Sequence, residues 1–363
     1  MRNGFTTGSC AAAAAAAAAS MLFEKKKINT VDIVTPAGVV FSPKLEDVKL
    51  EAGSDAYASC AVRKDAGDDP DITDKMLIYA TVSLIDDEKD RVVIEGGAGI
   101  GTVTRPGLDR PVGDAAINTV PRRMIEDEIR RIASEHGFDG TIKVVISVPE
   151  GEKIAAKTFN PKLGIEGGIS IIGTSGIVEP MSTKALIDTI AVELRQQKAM
   201  GENRAFVSPG NYGLNFMKKL GYDLDKAVKC SNFIGQTIDI ARELGFESML
   251  LVGHVGKLIK LSGGIMNTHS KEADCRMELM AAAAARCNAA TDTIKRILDC
   301  VSTDEAYGCM IDAGIERECF EYIMGRIDHY LAERSPDMEI ECMVFSEKYG
   351  LLGTTAKKDR RDD

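Results

Sequence analysis

The uninterrupted alanine run Ala11–Ala19 is the feature that most restricts what this chain can fold into. Alanine is the strongest helix former, and a helix carrying only methyl groups lets neighbours approach on every side. With Arg2 in front, Cys10–Ala19 has the outline of a signal peptide. Alanine is only weakly hydrophobic, however, and the run is too short to span a bilayer. Phe5-Thr6-Thr7-Gly8-Ser9 reads as a helix entry, with Ser9 or Thr7 as N-cap. The expectation is a buried or half-buried helix. No other stretch is long and apolar enough to cross a membrane, so the protein is expected to be soluble and cytoplasmic, with no membrane partner.

Length and charge narrow the class further. A chain of 363 residues is enough for about two domains, each with its own core. The 45 basic and 55 acidic residues give a net charge of −10, a poor match for nucleic acid or an anionic membrane. The nine cysteines are an odd number and none is spaced C-x-x-C, which argues for reduced thiols and against a zinc ribbon.

The pattern divides near Asn160-Pro161-Lys162-Leu163-Gly164, giving domains 1–160 and 161–363. The first part mixes strands and helices in an α+β pattern. Strands are expected at Thr30–Thr35, Val39–Phe41, Ser59–Val62, Met76–Ile85, Arg91–Glu95 and Lys143–Val148. Pro121–His136 reads as a helix presenting Met124, Ile125, Ile129 and Ile132 on one face, with Gly137 as its stop. In the second part strand–turn–helix recurs from Ile169–Ile172, Arg204–Val207, Val228–Ser231 and Ser248–Val252, the pattern of a parallel α/β sheet. Ser270–Arg334 reads as helical, Glu339–Phe345 as an edge strand, and Lys357–Asp363 as a charged, frayed end.

Two glycine patterns fail as nucleotide motifs. Gly97-x-Gly99-x-Gly101 lacks the third Rossmann glycine, and Gly256-Lys257 is followed by Leu258 where a P-loop needs a hydroxyl. Gly173, Thr174, Ser175 and Gly176 form a better candidate, because they follow the expected strand Ile169–Ile172. Ser208-Pro209-Gly210-Asn211 and Gly253-His254-Val255-Gly256 close later strands in the same way. Three small turns along one sheet edge would clear a floor for a ligand. Thr104–Arg123 holds Arg105, Arg110, Arg122 and Arg123 against Asp109 and Asp114, a local excess of positive charge in an acidic chain. Arg122 and Arg123 fall in the first turn of a helix, where the dipole disfavours cations and a bound polyanion would compensate. His254 stands near Lys257 and Lys260 without metal-ligand spacing.

Several longer stretches resemble the CbiD family. They include Gly4-Phe5-Thr6-Thr7-Gly8-Ser9-Cys10-Ala11-Ala12, Gly96–Leu108, Pro111–Met124, Gly173–Ser182 and Gly253–His269, in order along nearly the whole chain. The resemblance implies S-adenosylmethionine-dependent methylation of C-1 of cobalt-precorrin-5B, giving cobalt-precorrin-6A in anaerobic cobalamin biosynthesis. It also implies an N-terminal α+β domain similar to a permuted S5 domain 2, followed by a four-stranded parallel α/β domain. Family members often carry a lysine in the alanine helix; here Ala11–Ala19 has none, so any role of that lysine is absent or is served by Lys25–Lys27. On this reading Gly173, Thr174, Ser175, Gly176, Gly210 and Asn211 hold the methyl donor, and Arg105, Arg110, Arg122 and Arg123 grip the rim carboxylates of the tetrapyrrole. His254 is the catalytic candidate. The cobalt belongs to the substrate, so no protein metal site is called for, and a homo-oligomer is left open. A corrinoid carrier without catalysis and a nucleotide-dependent enzyme are the other classes.

Overall fold

The computed structural model describes residues 1–53, 56–85 and 91–356, which form two units, Met1–Ser182 and Thr183–Asp363. The charged end Lys357–Asp363 lies outside the described residues.

The alanine run is the centre of the first unit. It lies in α1 (Thr7–Glu24), and every residue from Cys10 to Ala19 is fully buried. The cap is Thr6 rather than Ser9 or Thr7: its hydroxyl accepts the Ser9 N–H, while the Gly8 N–H goes to the Ile172 carbonyl. A five-stranded sheet lies along one side of α1, with strands β1 (Leu45–Glu51), β2 (Tyr57–Arg63), β3 (Leu77–Ile85), β4 (Val92–Gly96) and β5 (Thr141–Ser147) in the order β1-β2-β3-β5-β4. All neighbours are antiparallel except β4 and β5. The second helix, α2 (Thr119–Glu135), also packs on α1. Ile78, Ala80 and Val82 of β3 alternate with more exposed positions, as a strand with one covered face requires. Methyl side chains let the layers close up: the Cys60 thiol of β2 reaches the Ala14 carbonyl of α1 at 3.3 Å. Each methyl so buried contributes roughly 0.8 kcal/mol. Lys25–Lys27 are exposed beyond the helix end, away from the buried run.

Two strand expectations change here. Thr30–Thr35 and Val39–Phe41 shrink to a two-residue ribbon, Ile33–Val34 against Val40–Phe41. Ile169–Ile172 does not open the parallel sheet. Ile169 bridges to Ile100 and Ile171 to Ile117, and both side chains are buried in the first unit. Ile165–Glu166 pairs with Thr102–Val103, and Ile177–Val178 with Gly4–Phe5. This stretch is therefore tied to the N-terminal elements by its own backbone. The glycines of the Gly97–Gly101 pattern serve the same junction. Gly99 sits at φ +74°, its carbonyl accepts the Ile169 N–H at 3.0 Å, and Gly151 and Gly168 press against it.

The second unit is the expected α/β layer. It runs α3 (Thr183–Ala199), β6 (Arg204–Ser208), α4 (Asn211–Lys219), β7 (Ala227–Lys229), α5 (Ile234–Glu243) and β8 (Ser248–His254). A one-turn helix at Val255–Leu258 comes next, followed by four longer helices, α6 (Arg276–Arg286), α7 (Thr291–Asp299), α8 (Thr303–Asp312) and α9 (Glu316–Arg334), then β9 (Glu339–Ser346) and β10 (Gly350–Thr354). The strand order is β7-β6-β8-β9-β10, with the first four parallel and β10 antiparallel. Glu339–Phe345, expected at the edge, is thus an inner strand, and β10 takes the edge. Residues Met249–Val252 of β8 are buried on both faces, the pattern of a parallel strand under two helical layers. One face packs Leu250 and Val252 against Met217 of α4; the other packs Leu251 against Ile234 and Ile238 of α5. No helix among the described residues is long and apolar enough to cross a membrane.

Candidate active site

Parallel sheets bind ligands outside the carboxyl ends of their strands, where the winding reverses. From β6 the chain steps outward to β7, then returns past β6 to β8. The crevice of the second unit therefore lies between the ends of β6 and β8. Gly210 and Asn211 follow β6, and His254 ends β8. Gly210 is extended at φ −179°, and a Cβ built there meets nothing within 4 Å. Gly213, one turn on, has no such freedom: a side chain would overlap the Ser208 hydroxyl, so α4 starts flush against the strand ends.

His254 is fixed by its own turn. Its Nδ1 accepts the Gly256 N–H at 3.1 Å, which leaves the proton of the neutral ring on Nε2. Phe345 meets the ring edge-on at 5.6 Å between centroids, and the exposed Tyr212 lies at 6.4 Å. Nε2 is 3.9 Å from Asp304 Oδ1, a buried atom with no hydrogen-bond partner among the described residues. Lys257 Nζ donates to the Pro209 carbonyl at 3.2 Å and the Ser231 carbonyl at 3.5 Å, joining the three loops that follow β6, β7 and β8. Burial pulls its pKa below the ordinary lysine value, and Lys229 and Lys260 add to the effect. The Cys230 thiol beneath it is pushed up to about 12 by complete burial. Lys260 is buried and bonds the Thr268 and Ala273 carbonyls, which orders the loop around His269.

The third glycine turn is elsewhere. Gly173–Gly176 belongs to the first unit, so it shares no sheet edge with Gly210. Its small residues answer a packing need: a side chain at Gly173, which sits at φ +137°, would overlap Thr6, and one at Gly176 would crowd Thr35 and Ser9. Ser9 Oγ donates to the Gly176 carbonyl at 2.7 Å, and Thr6 N–H donates to the same oxygen at 3.1 Å. A Gly173→Val variant therefore reports on folding, not cleanly on a ligand. Ser175 Oγ donates to the Ile177 carbonyl at 3.2 Å, within its own turn. Thr174 is exposed and lines a groove of about 360 Å³ with Val34, Pro36, Val120 and Met124, and with Arg123, Asp127 and Glu128 as its charged residues.

The four arginines separate by their partners. Arg105 lays its stem over Gly164 and donates to the Lys162 carbonyl at 3.2 Å. Arg110 pairs with Asp114 at 2.5 Å, leaving its buried Nε without a partner among the described residues. Arg122 donates to the Ile117 and Ile94 carbonyls at 2.9 and 3.0 Å; burial, then the charge of Arg110, pull its pKa below the ordinary value. The helix start it occupies is already offset, because the Asp109 carboxylate accepts the Thr119 N–H. Arg122 therefore finds its partners inside the fold, and the helix start there does not call for an external polyanion. Arg123 alone of the four is exposed at the groove with no hydrogen-bond or ion-pair partner among the described residues.

The sequence matches known proteins along most of its length. A family model described as CbiD matches residues 1–180, and one described as the CbiD C-terminal domain matches residues 267–356. A protein of Ruminiclostridium cellulolyticum is 46% identical over 96% of this chain and 89% of its own length. The chain belongs to the CbiD family. That relative carries the name cobalt-precorrin-5B C(1)-methyltransferase, as does one of Alkaliphilus metalliredigens that is 44% identical over 99% of this chain and 94% of its own. A crystal structure titled cobalamin biosynthesis protein (cbiD), from Archaeoglobus fulgidus, is 29% identical over 76% of this chain and 84% of that one, with a TM-score of 0.40.

Proposed function

We propose that this CbiD protein methylates C-1 of cobalt-precorrin-5B, with S-adenosylmethionine as donor, and releases cobalt-precorrin-6A. The observation that carries the reading is the extent of the family match, since relatives so named align over 96% and 99% of the chain. The sheet-edge crevice supports the donor site. Gly210 leaves open space, Asn211 offers an exposed amide, and Tyr212 offers a ring face at the mouth. These groups suit a nucleoside with a hydroxylated sugar. When bound, the donor supplies an electrophilic methyl group on a sulfonium sulfur. The chain's part is then to position and to exclude water, since displacement at a methyl carbon gains most from a fixed line of approach. His254, held by Gly256 through Nδ1, presents its Nε2 at the end of β8, 3.9 Å from Asp304 Oδ1, and is the residue assigned to the chemistry in that crevice.

The groove of the first unit supports the acceptor's rim. Val34, Pro36, Val120 and Met124 give it an apolar floor; Asp127 and Glu128 also line it, Glu128 paired with Arg131 at 2.8 Å, and the free cation Arg123 is the group there that suits a ring carboxylate. Arg123→Ala is expected to weaken tetrapyrrole binding about 10- to 100-fold, the worth of one charge-assisted bond. The salt dependence of binding falls with it. Arg122→Ala is expected to cost stability instead, because its donors serve carbonyls inside the fold. Titrations of both variants at low and high salt, beside thermal unfolding, check the pair of statements. The whole reading is tested by incubating the protein with cobalt-precorrin-5B and methyl-labelled S-adenosylmethionine. Label must move to the tetrapyrrole. Tight tetrapyrrole binding with all label left on the donor would mark a carrier instead.

A further inference from the structure

Lys257 stands out among the charges that the proposed chemistry has not used. Its ammonium is half-buried at the point where the winding of the sheet reverses, and both of its bonds run to carbonyls, Pro209 and Ser231. No carboxylate pairs with it among the described residues, whereas Lys260, one turn on, has Asp274 Oδ1 at 3.9 Å. A half-buried cation without a counter-charge is costly to keep. An ammonium has three donors, and carbonyls occupy two. The third N–H and the uncompensated charge together describe a site short of one anion. The loops that hold Lys257 are those beside Gly210 and His254, so that anion would enter the same crevice.

We infer that Lys257 binds the α-carboxylate of the methyl donor. The inference rests on the donor reading above and goes further, by naming the group recognised and the residue that recognises it. It also accounts for specificity. A nucleoside that lacks the amino-acid carboxylate leaves the lysine without a counter-charge, and a half-buried charge left so discriminates more strongly than a lost contact. The tetrapyrrole carries carboxylates too, so the test must separate the two sources.

The probe is S-adenosylmethionine against its decarboxylated analogue, titrated calorimetrically into the full-length protein and into Lys257→Gln, which keeps a donor and loses the charge. The wild type is expected to prefer the carboxylated compound by about 10-fold or more, and Lys257→Gln to prefer it by less than about threefold. An equal preference in both proteins would overturn the assignment and leave the donor site standing. Failure of the wild type to bind either compound would overturn the donor reading and the assignment with it. A variant that loses tetrapyrrole affinity and keeps donor affinity would give the lysine to the acceptor. Because Lys257 also joins three loops, Lys257→Gln can fail to fold, and a measurement on the wild type alone covers that case. Acetylation of Lys257, followed by peptide mass spectrometry, is expected to be slowed by S-adenosylmethionine and not by the decarboxylated analogue. Equal protection by both would reject the proposal.

Discussion

His254→Ala is expected to slow methyl transfer about 100-fold in single-turnover assays with labelled donor, with donor affinity within about threefold of wild type. The size follows from what a positioned hydrogen-bond donor contributes at a reacting centre, which is two to three orders of magnitude. The location follows from the fold. The end of β8 is held by parallel pairing to β9, where His254 sits opposite Phe345; Gly256 fixes the ring by its Nδ1, and Phe345 braces its edge. The substitution also removes the cap on the turn after β8, at a cost of about 1 kcal/mol, so unfolding should shift only slightly. Undiminished transfer in the alanine variant would remove His254 from the chemistry. A loss of transfer accompanied by unfolding would mark it as a structural cap.

Gly99→Ala is expected to be among the most damaging single changes in the first unit, destabilising it by at least ~4 kcal/mol. Two costs add. At φ +74° a β-carbon costs roughly 1 kcal/mol before any contact is considered. That carbon would then overlap the Val148 carbonyl oxygen, which is backbone and held by the Gly151 N–H at 2.7 Å. Relief would have to come from the crossing where Gly99, Gly151 and Gly168 meet, and that crossing carries the 161–182 stretch on the first unit. Urea unfolding should show the loss as a lower midpoint, together with easier proteolysis around residue 168. Gly38→Ala, at φ +76° with no atom within 4 Å, isolates the backbone cost and should lose only about 1 kcal/mol. Equal behaviour of the two variants would refute the packing argument.

The contrast between those two glycines shows what a sequence displays and what it hides. The alanine helix was legible because composition alone decides it. The α2 face was legible because its spacing does: Met124, Ile125, Ile129 and Ile132 are all buried. Three strands of the parallel sheet showed as apolar runs closed by Gly, Pro and Asn. Leu45–Glu51 did not show, since the register shifts between Glu46 and Lys49, with Asp47 at φ +52°, and breaks the two-residue alternation of an already charged segment. Ile169–Ile172 misled for the opposite reason. Locally it has every mark of a strand before a glycine turn, and what decides its place is the carbonyl of Gly99 and that of Ala116, far away in sequence. Charge counting found the arginine segment but could not tell which guanidinium the fold had already satisfied, because the acceptors of Arg122 are backbone carbonyls. Asp304 had no signal at all. It lies in a helical stretch of ordinary composition, and only the packing of α8 near the strand ends brings it to His254.

The donor is proposed to bind at the sheet edge of the second unit, and a carboxylate of the acceptor at Arg123. Calorimetric titration of S-adenosylmethionine into Gly210→Val and Arg123→Ala tests that division most directly. Gly210 is extended and faces open space, so valine is accommodated by the fold and takes up room in the crevice. Gly210→Val is expected to lose at least about 10-fold in donor affinity at unchanged thermal stability, while Arg123→Ala binds the donor like the wild type. Unchanged donor affinity in a folded Gly210→Val, or loss of it in Arg123→Ala, would contradict the account.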